Sequence, residues 1–380
     1  MTGIFTLSYA AFEIPSGALG DRIGPRRVLT RIVLWWSGFT ALTGMVTGYY
    51  PLLLTRFLFG AGEAGAFPNA SIAVARWFPV QDRGRAFGIS LMASQFGGVI
   101  APFLVVPIQI HYGWRTSFYV FGLLGVGWSV VWYWWFRDSP AEKAGISQAE
   151  LEETRDVVVK VRHHLPWTVA RRSGDLWAAM GVAGCNQYAL YFFLSWFQTY
   201  LVKARGYSEN ALLLSSVPFL VGACASYGGG LASHALVKRL GLKWGRRSIG
   251  LVGVGTAALC TIAVMFMQHW LGALILLSLV YGGIAFQQPT MFAVLLDIGG
   301  EYAGAVVGTL TTAGQIGSFV SSVAFGYLVD RSGSYNVPFI PMAALLLIGA
   351  ALWLKVDPTH ALIPRSLSAT TTAGIPVLVE

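Results

Sequence analysis

Gly17-Ala18-Leu19-Gly20-Asp21-Arg22-Ile23-Gly24-Pro25-Arg26-Arg27 packs four charges and three glycines into eleven residues. Apolar runs flank it on both sides, at about 3–20 and 28–50. Outward from this loop the pattern continues, with further runs near 51–75, 86–110, 116–136, 176–202, 210–233, 248–268, 270–296, 303–329 and 338–354. A helix needs about 20 mostly apolar residues to cross a bilayer, so the chain reads as eleven membrane spans joined by short connections and one long polar stretch at 137–175.

Composition agrees. The 380 residues are 55% hydrophobic and 11% charged, against about 25% charged in an ordinary soluble domain, and the mean hydropathy is +0.61. A soluble enzyme, a disordered chain and a nucleic-acid binder are thereby excluded. The net charge of +9 reflects basic cytoplasmic loops rather than a nucleic-acid partner. Counted over alternate loops, twenty Lys and Arg fall on one side and four on the other, with Arg31 and Arg56 inside spans. The positive-inside rule puts the twenty, and with them the C-terminus, in the cytoplasm.

Cys185, Cys224 and Cys260 lie far apart in apolar runs and read as packed thiols. The six histidines show no metal-ligand spacing. No Gly-Lys dipeptide occurs, hence no Walker A loop. The expectation is a protein without metal or nucleotide, and no nucleophile–base set marks an enzyme.

The chain also overlays on itself. Gly88 and Gln95-Phe96-Gly97 answer Gly308 and Gln315-Ile316-Gly317 at a shift of 220, as Arg26-Arg27 answers Arg246-Arg247. Ala66-Phe67 and Pro68 answer Ala285-Phe286 and Pro289, and Gly17 with Asp21 answers Gly230 with His234 at a shift of 213. Matched halves are a transporter construction that places the substrate near the midplane between them. The expected domains are a bundle at 1–136, a cytoplasmic linker at 137–175, a six-helix bundle at 176–356 and a disordered tail at 357–380. The linker holds a capping box, Ser147-x-x-Glu150, before Leu151–Val161; it reads as a surface helix or equally as a plain solvated linker. The second half opens near 176, so its repeat partner falls upstream of Met1. The expectation is that the first half lacks one helix, through a misassigned or truncated start.

The loop at 17–27 resembles the signature loop of the major facilitator superfamily, G-x-L-x-D-R-x-G-x-R-R. Tyr9–Gly17, Arg56–Ala64 with Phe67-Pro68, Trp77-Phe78-Pro79 with Arg83-Gly84-Arg85-Ala86, Gly113-Trp114-Arg115 with Phe118, and Asp330-x-x-Gly333-Ser334-Tyr335-Asn336 are similar to its anion:cation symporter branch. That resemblance implies an all-α, two-bundle fold with eleven of twelve spans present. It also implies a monomer in a bacterial inner (plasma) membrane that moves a small organic anion, among them hexuronates, aldonates, aldarates and aromatic acids, with a proton or sodium as coupling ion. The family's first helix brings an anion-binding Arg and a coupling Asp that this chain lacks, and His234 stands where the second signature loop usually has an acid.

Charges within spans cost roughly 2.5–3.5 kcal/mol each. Arg31 can snorkel to the surface. Arg56 and Glu63 stand two turns apart on one face, about 10 Å along the axis, with Gly60, Gly62 and Gly65 leaving room for a neighbouring helix or a solute. They read as a proton-coupling pair, Glu63 the acceptor; the alternative is fixed ion pairing with other helices that holds the bundle together. Glu13 reads as a second protonation site or as a structural acid capping a loop. Tyr9, Gln95, Gln315, Asn186, Tyr188, Tyr191, Gln287 and Gln288, with Gln187 beside them, are the substrate-contact candidates. Gln offers the donors and acceptors that suit sugar hydroxyls, although an interhelical hydrogen bond fits Gln95 and Gln315 equally well. Gly17, Asp21, Arg22, Gly24, Arg26 and Arg27 read as a gate.

Overall fold

The computed structural model describes residues 2–153, 167–206, 214 and 216–362. Among the described residues, each of the eleven apolar runs is helical. In the first half they are α1 (Thr2–Ile23), α2 (Pro25–Met45), α3 (Tyr49–Glu63) with α4 (Ala66–Trp77), α5 (Arg83–Tyr112) and α6 (Trp114–Trp135). The polar stretch holds the short α7 (Gln148–Glu153) and α8 (Trp167–Ala170). The second half contains α9 (Gly174–Ser195), extended by α10 (Phe197–Thr199), then α11 (Val217–Phe266), α12 (Trp270–Gly299), α13 (Ala303–Ser332) and α14 (Phe339–Trp353). The capping box forms, Ser147 Oγ accepting from the Glu150 amide while Glu150 accepts from the Ser147 amide. Most of the surface helix expected over Leu151–Val161 lies outside the described residues.

Among the described residues, α5, α6, α11 and α12 are long and apolar enough to cross a membrane on length and composition alone. The remaining runs are shortened by breaks or diluted by small and polar residues. One run is divided at Gly65, whose left-handed φ of 88° separates α3 from α4. Another pair is fused: α11 runs through Gly241, where φ 77° and ψ 171° turn the chain. Ser226 before that turn and Gly253 after it both reach α12, at Ala285 and Gly283, so the two arms of α11 run side by side.

The halves meet along two seams, α1 against α13 and α5 against the first arm of α11. The repeat explains why. Gly17 abuts Gly304, and Gly230 abuts Gly84 and Gly88; a Cβ on Gly17, Gly304, Gly230 or Gly88 would press on backbone of the opposite half, and one on Gly84 would meet the side chains of Arg246 and Ser233. Gly230 is the repeat mate of Gly17, and Gly304 stands 220 residues after Gly84. One close glycine contact is thus built twice, and small residues are what allow helices in a bilayer to approach this closely.

The repeat also governs how helix breaks are repaired. Gly65 at the α3–α4 break donates its amide to Glu13 Oε2 at 2.6 Å. In the second half Pro289 removes the donor that would serve the Ala285 carbonyl, and Ser226 Oγ donates to that oxygen at 3.3 Å instead. Ser226 follows Glu13 by 213 residues, the same shift as the signature glycines. Glu13 is fully buried against the break, at the position Ser226 takes in the second half.

At the end of the bundle that carries the basic loops, an acid after the last helix of each half holds a loop. Asp138 accepts from the Arg26 amide at 2.9 Å. Asp357, 219 residues later, takes Lys243 at 2.6 Å and lies 3.8 Å from Arg247. The tail expected to be disordered from Asp357 is held instead through Leu362. The Asp357 amide donates to Asp175, and the Leu362 amide donates to the Ile298 carbonyl. Backbone bonds and a buried carboxylate supply the order that its Ser/Thr/Pro-rich composition did not announce.

Burial acts to raise the Asp357 carboxyl, but hydrogen bonds from Lys243 and Thr359 outweigh it and hold the group well below its ordinary 3.8. A depressed folded-state value adds stability that is present above the unfolded value and is lost as pH falls toward the folded one. Hydrogen exchange at the Asp357, Thr359 and Leu362 amides is therefore expected to accelerate below about pH 4, and Asp357→Asn to reproduce this at neutral pH. Unchanged exchange in that variant would assign the bracing elsewhere.

Candidate functional site

A cavity of about 660 Å³, its open mouth included, lies between the halves. The first half contributes Tyr9 from α1 and Phe67 from α4; the second half contributes the rest of the described wall. On α9 the lining residues are Ala183, Asn186, Gln187 and Leu190, and on α12 they are Ile284, Gln287, Gln288, Met291 and Phe292. Both sets follow the i, i+3, i+4, i+7 spacing that puts side chains on one helical face. Leu310, Thr311, Gly314 and Gln315 complete the wall from α13. A side chain at Gly314 would collide with Gln187, so that glycine makes space for an amide.

Five expected contacts, Tyr9, Asn186, Gln287, Gln288 and Gln315, therefore share one chamber with Gln187. Gln95, Tyr188 and Tyr191 do not line it. Gln95 accepts a hydrogen bond from Tyr281 at 2.7 Å across the α5–α12 contact. Its repeat mate Gln315 faces the cavity, so matched positions have separate duties. Tyr188 is buried and Tyr191 half-buried. Thr311, four residues before Gln315 and on the same face, was legible from spacing but not singled out, and Phe67 was read only as part of a motif.

Arg56 and Glu63 also stand off the cavity wall. Both are half-buried, and among the described residues they form no ion pair within 4.0 Å. Arg56 lies over the Phe59 ring, 5.9 Å from its centre. Tyr9, on the chamber wall, is within electrostatic reach of Glu13 and of Glu63, as Glu63 is of Arg56. Arg31 is exposed and donates to Ser16 Oγ at 3.2 Å.

Below the chamber the basic end is closed. Asp21 accepts from the amides of Gly304 and Ala305, both at 3.1 Å. These are unsatisfied donors at the start of α13, where the helix dipole favours a negative charge. Gly17 packs beside this contact; Gly24 and Arg26 instead bind within the first half, against Asp138 and the Tyr133 carbonyl. Arg22 and Arg27 are exposed. On the symmetry-related seam, His234 replaces the acid and lies 3.2 Å from Asp82 and 3.1 Å from the Gln81 carbonyl. Beside it, Asp297 is held by Arg246 of its own half and by Arg83 of the other, each at 3.3 Å. Asp297 went unmarked in the sequence, although a lone acid closing the run Leu295-Leu296 was a visible signal.

A family model for the Major Facilitator Superfamily matches residues 1–322 and 243–377. The chain belongs to this superfamily. It is an integral, multi-pass membrane protein of a transporter family, not an enzyme. A probable sulfoacetate transporter of Cupriavidus necator is 34% identical, the match covering 93% of this chain and 83% of that one. A probable galactarate/D-glucarate transporter of Escherichia coli is 30% identical over 92% and 82%. The hexuronate transporter of Bacillus subtilis is 26% identical over the same shares. The solved human organic anion transporter MFSD10 has the same fold, with a TM-score of 0.73 at 14% identity, over 92% of this chain and 82% of its own.

Proposed function

We propose that the protein is a secondary active transporter that carries a small organic anion, a sugar acid such as a hexuronate, aldonate or aldarate, in symport with a proton. The observation that carries this reading is the amide-lined chamber between two matched halves, sealed at one end by contacts that cross from half to half. Alternating access requires such bistable contacts, and rocking about the two glycine seams would break Asp21–α13 and Arg83–Asp297 together. The basic end faces the cytoplasm on this reading, by the positive-inside rule, and the monomer is the working unit. Glu63 is the proton acceptor and Arg56 its charge partner, linked to the chamber through Tyr9. The similarity to transporters of sulfoacetate, galactarate/D-glucarate and hexuronate supports an anionic cargo.

The position of Arg56 and Glu63 off the cavity wall favours one second reading, an uncoupled uniporter or exchanger of the same fold. The two separate in proteoliposomes loaded with the purified protein and given labelled glucuronate or galactarate. Symport drives accumulation under an inward proton gradient, and a protonophore abolishes it. Uniport equilibrates the label and ignores the protonophore. Absence of flux for every organic anion tested would remove both readings.

A further inference from the structure

One short turn carries the second-half ends of both contacts that close the basic end. Asp297, in the last turn of α12, takes Arg83 of the first half, and the Gly304 and Ala305 amides, at the start of α13, hold Asp21. Between them the chain reverses within a single 3-10 turn, Gly300–Tyr302, and Gly300 enters it at a φ of 52° that favours glycine. A helix leaves its first amides and its last carbonyls without partners of their own. At the head of α13 Asp21 completes the amides. At the foot of α12 a carbonyl is completed from a different place: the Leu362 amide donates to the Ile298 oxygen at 2.9 Å. Ile298 is fully buried and Leu362 is 9% exposed, so this bond is packed as well as formed.

The segment that delivers Leu362 is anchored upstream. The Val356 carbonyl accepts from Arg247 at 2.7 Å, and the Asp357 carboxylate takes Lys243 and the Thr359 hydroxyl. The Asp357 amide donates to Asp175 at 2.8 Å, and His360 lies 3.2 Å from the same acid. Asp357–Leu362 is thus a strap running from α9 and the second arm of α11 to the α12–α13 turn. Among the described residues every hydrogen bond and ion pair it makes is to the second half.

We infer that docking of this strap and closure of the basic end are coupled through the turn at 297–305, which makes Asp357 and Leu362 positioning residues for the gate. The inference rests on the alternating-access reading above, and adds a control point that touches neither the cargo nor the proton-coupling pair. Loss of the Leu362 bond strips the foot of α12 of its brace and lets the turn shift. Arg83 and Asp21 both reach across to that turn, so the two half-to-half contacts weaken together. Coupling is reciprocal, so opening of those contacts loosens the strap by the same factor.

The test uses the full chain in detergent and two readouts. One is maleimide reaction of a cysteine placed at Ser233, a fully buried position on the closed seam. The other is hydrogen exchange at the Gly304, Ala305 and Leu362 amides. Leu362→Pro removes the donor and keeps an apolar side chain; Asp357→Asn releases the anchor with Leu362 left in place, and serves if proline disturbs the local fold. Each is expected to speed labelling of the Ser233 cysteine, and exchange at Gly304 and Ala305, about fivefold or more, the scale of an ordinary coupling. In the opposite direction, Asp21→Asn combined with Arg83→Ala speeds exchange at Leu362 to a similar degree, although neither residue touches the strap. Strap variants that speed exchange only within 357–362, or latch variants that leave Leu362 protected as in the wild type, would reduce the strap to a local brace and overturn the inference. Acceleration throughout the chain, α2 and α6 included, would overturn it too, as a general loss of stability. A Ser233 cysteine that stays unreactive in every variant, the double latch variant included, would mean that the basic end does not open, and the alternating-access reading would fall with the inference.

Discussion

Asp297→Ala destabilises the protein by about 3–5 kcal/mol, the cost of stripping a buried charge cluster of its counter-ion. Asp297 is the carboxylate between Arg246, whose side chain is 1% exposed, and Arg83, at 8%. Removing it leaves Arg246 bonded to Ser233 Oγ and the Val80 carbonyl, and Arg83 bonded to the Ala75 carbonyl. The two neutral acceptors of Arg246 do not cancel its buried positive charge. Denaturant unfolding in detergent reads the loss. Arg83→Ala is the informative companion, because Asp297 and Arg246 remain paired within one half while the ionic contact between halves disappears. Its stability falls less, but the basic end opens. Ser233, fully buried beside Gly84, reports this: a cysteine placed there is expected to react with a maleimide at least tenfold faster in Arg83→Ala, read by mass spectrometry of that peptide. Unfolding of Asp297→Ala within about 1 kcal/mol of wild type would mean that the cluster is solvated and does not latch the halves.

Glu63→Gln abolishes gradient-driven accumulation, at least tenfold, and spares counterflow of the same anion. Glu63 closes α3, one residue before the break at Ala64-Gly65, where a helix end next to a left-handed glycine is able to shift. A carboxyl there alters the local charge by one when it gains a proton, and Arg56 and Tyr9 both lie within its electrostatic reach. Binding of an anion through that group changes the proton's affinity and, by reciprocity, the proton changes the anion's. Glutamine holds the neutral form permanently, which cuts the link to the gradient but keeps the shape. Retention of protonophore-sensitive accumulation by Glu63→Gln would place coupling on another group. Glu13 is the control: its carboxylate holds the Gly65 amide, so its replacement lowers stability before it reveals anything about coupling.

Much of the candidate site was legible residue by residue. The stripe Asn186, Gln187 and the pair Gln287, Gln288 stood out because amides are rare in apolar runs, and Tyr9 through the family resemblance. Gln95 and Gln315 could not be told apart, since a repeat assigns both the same helix height and says nothing of the neighbour each will meet. Asp82, Asp138 and Asp297 sit at helix ends, where composition looks the same whether an acid is solvated or clasped by two arginines.

What the chain's composition and spacing determined is the set of eleven helices, the loop at 17–27 and the twofold repeat. Transfer into a bilayer depends on the apolar content of a run, and glycine or proline acts where it stands. What only the tertiary structure decided is which face of each helix turns inward. In lipid the outer face of a helix is as apolar as the packed one, so no stripe in the sequence marks the seam. That choice put Gln315 in the chamber, tied Gln95 to Tyr281, kept Arg56 and Glu63 off the chamber wall, and brought Arg83 to an acid 214 residues away.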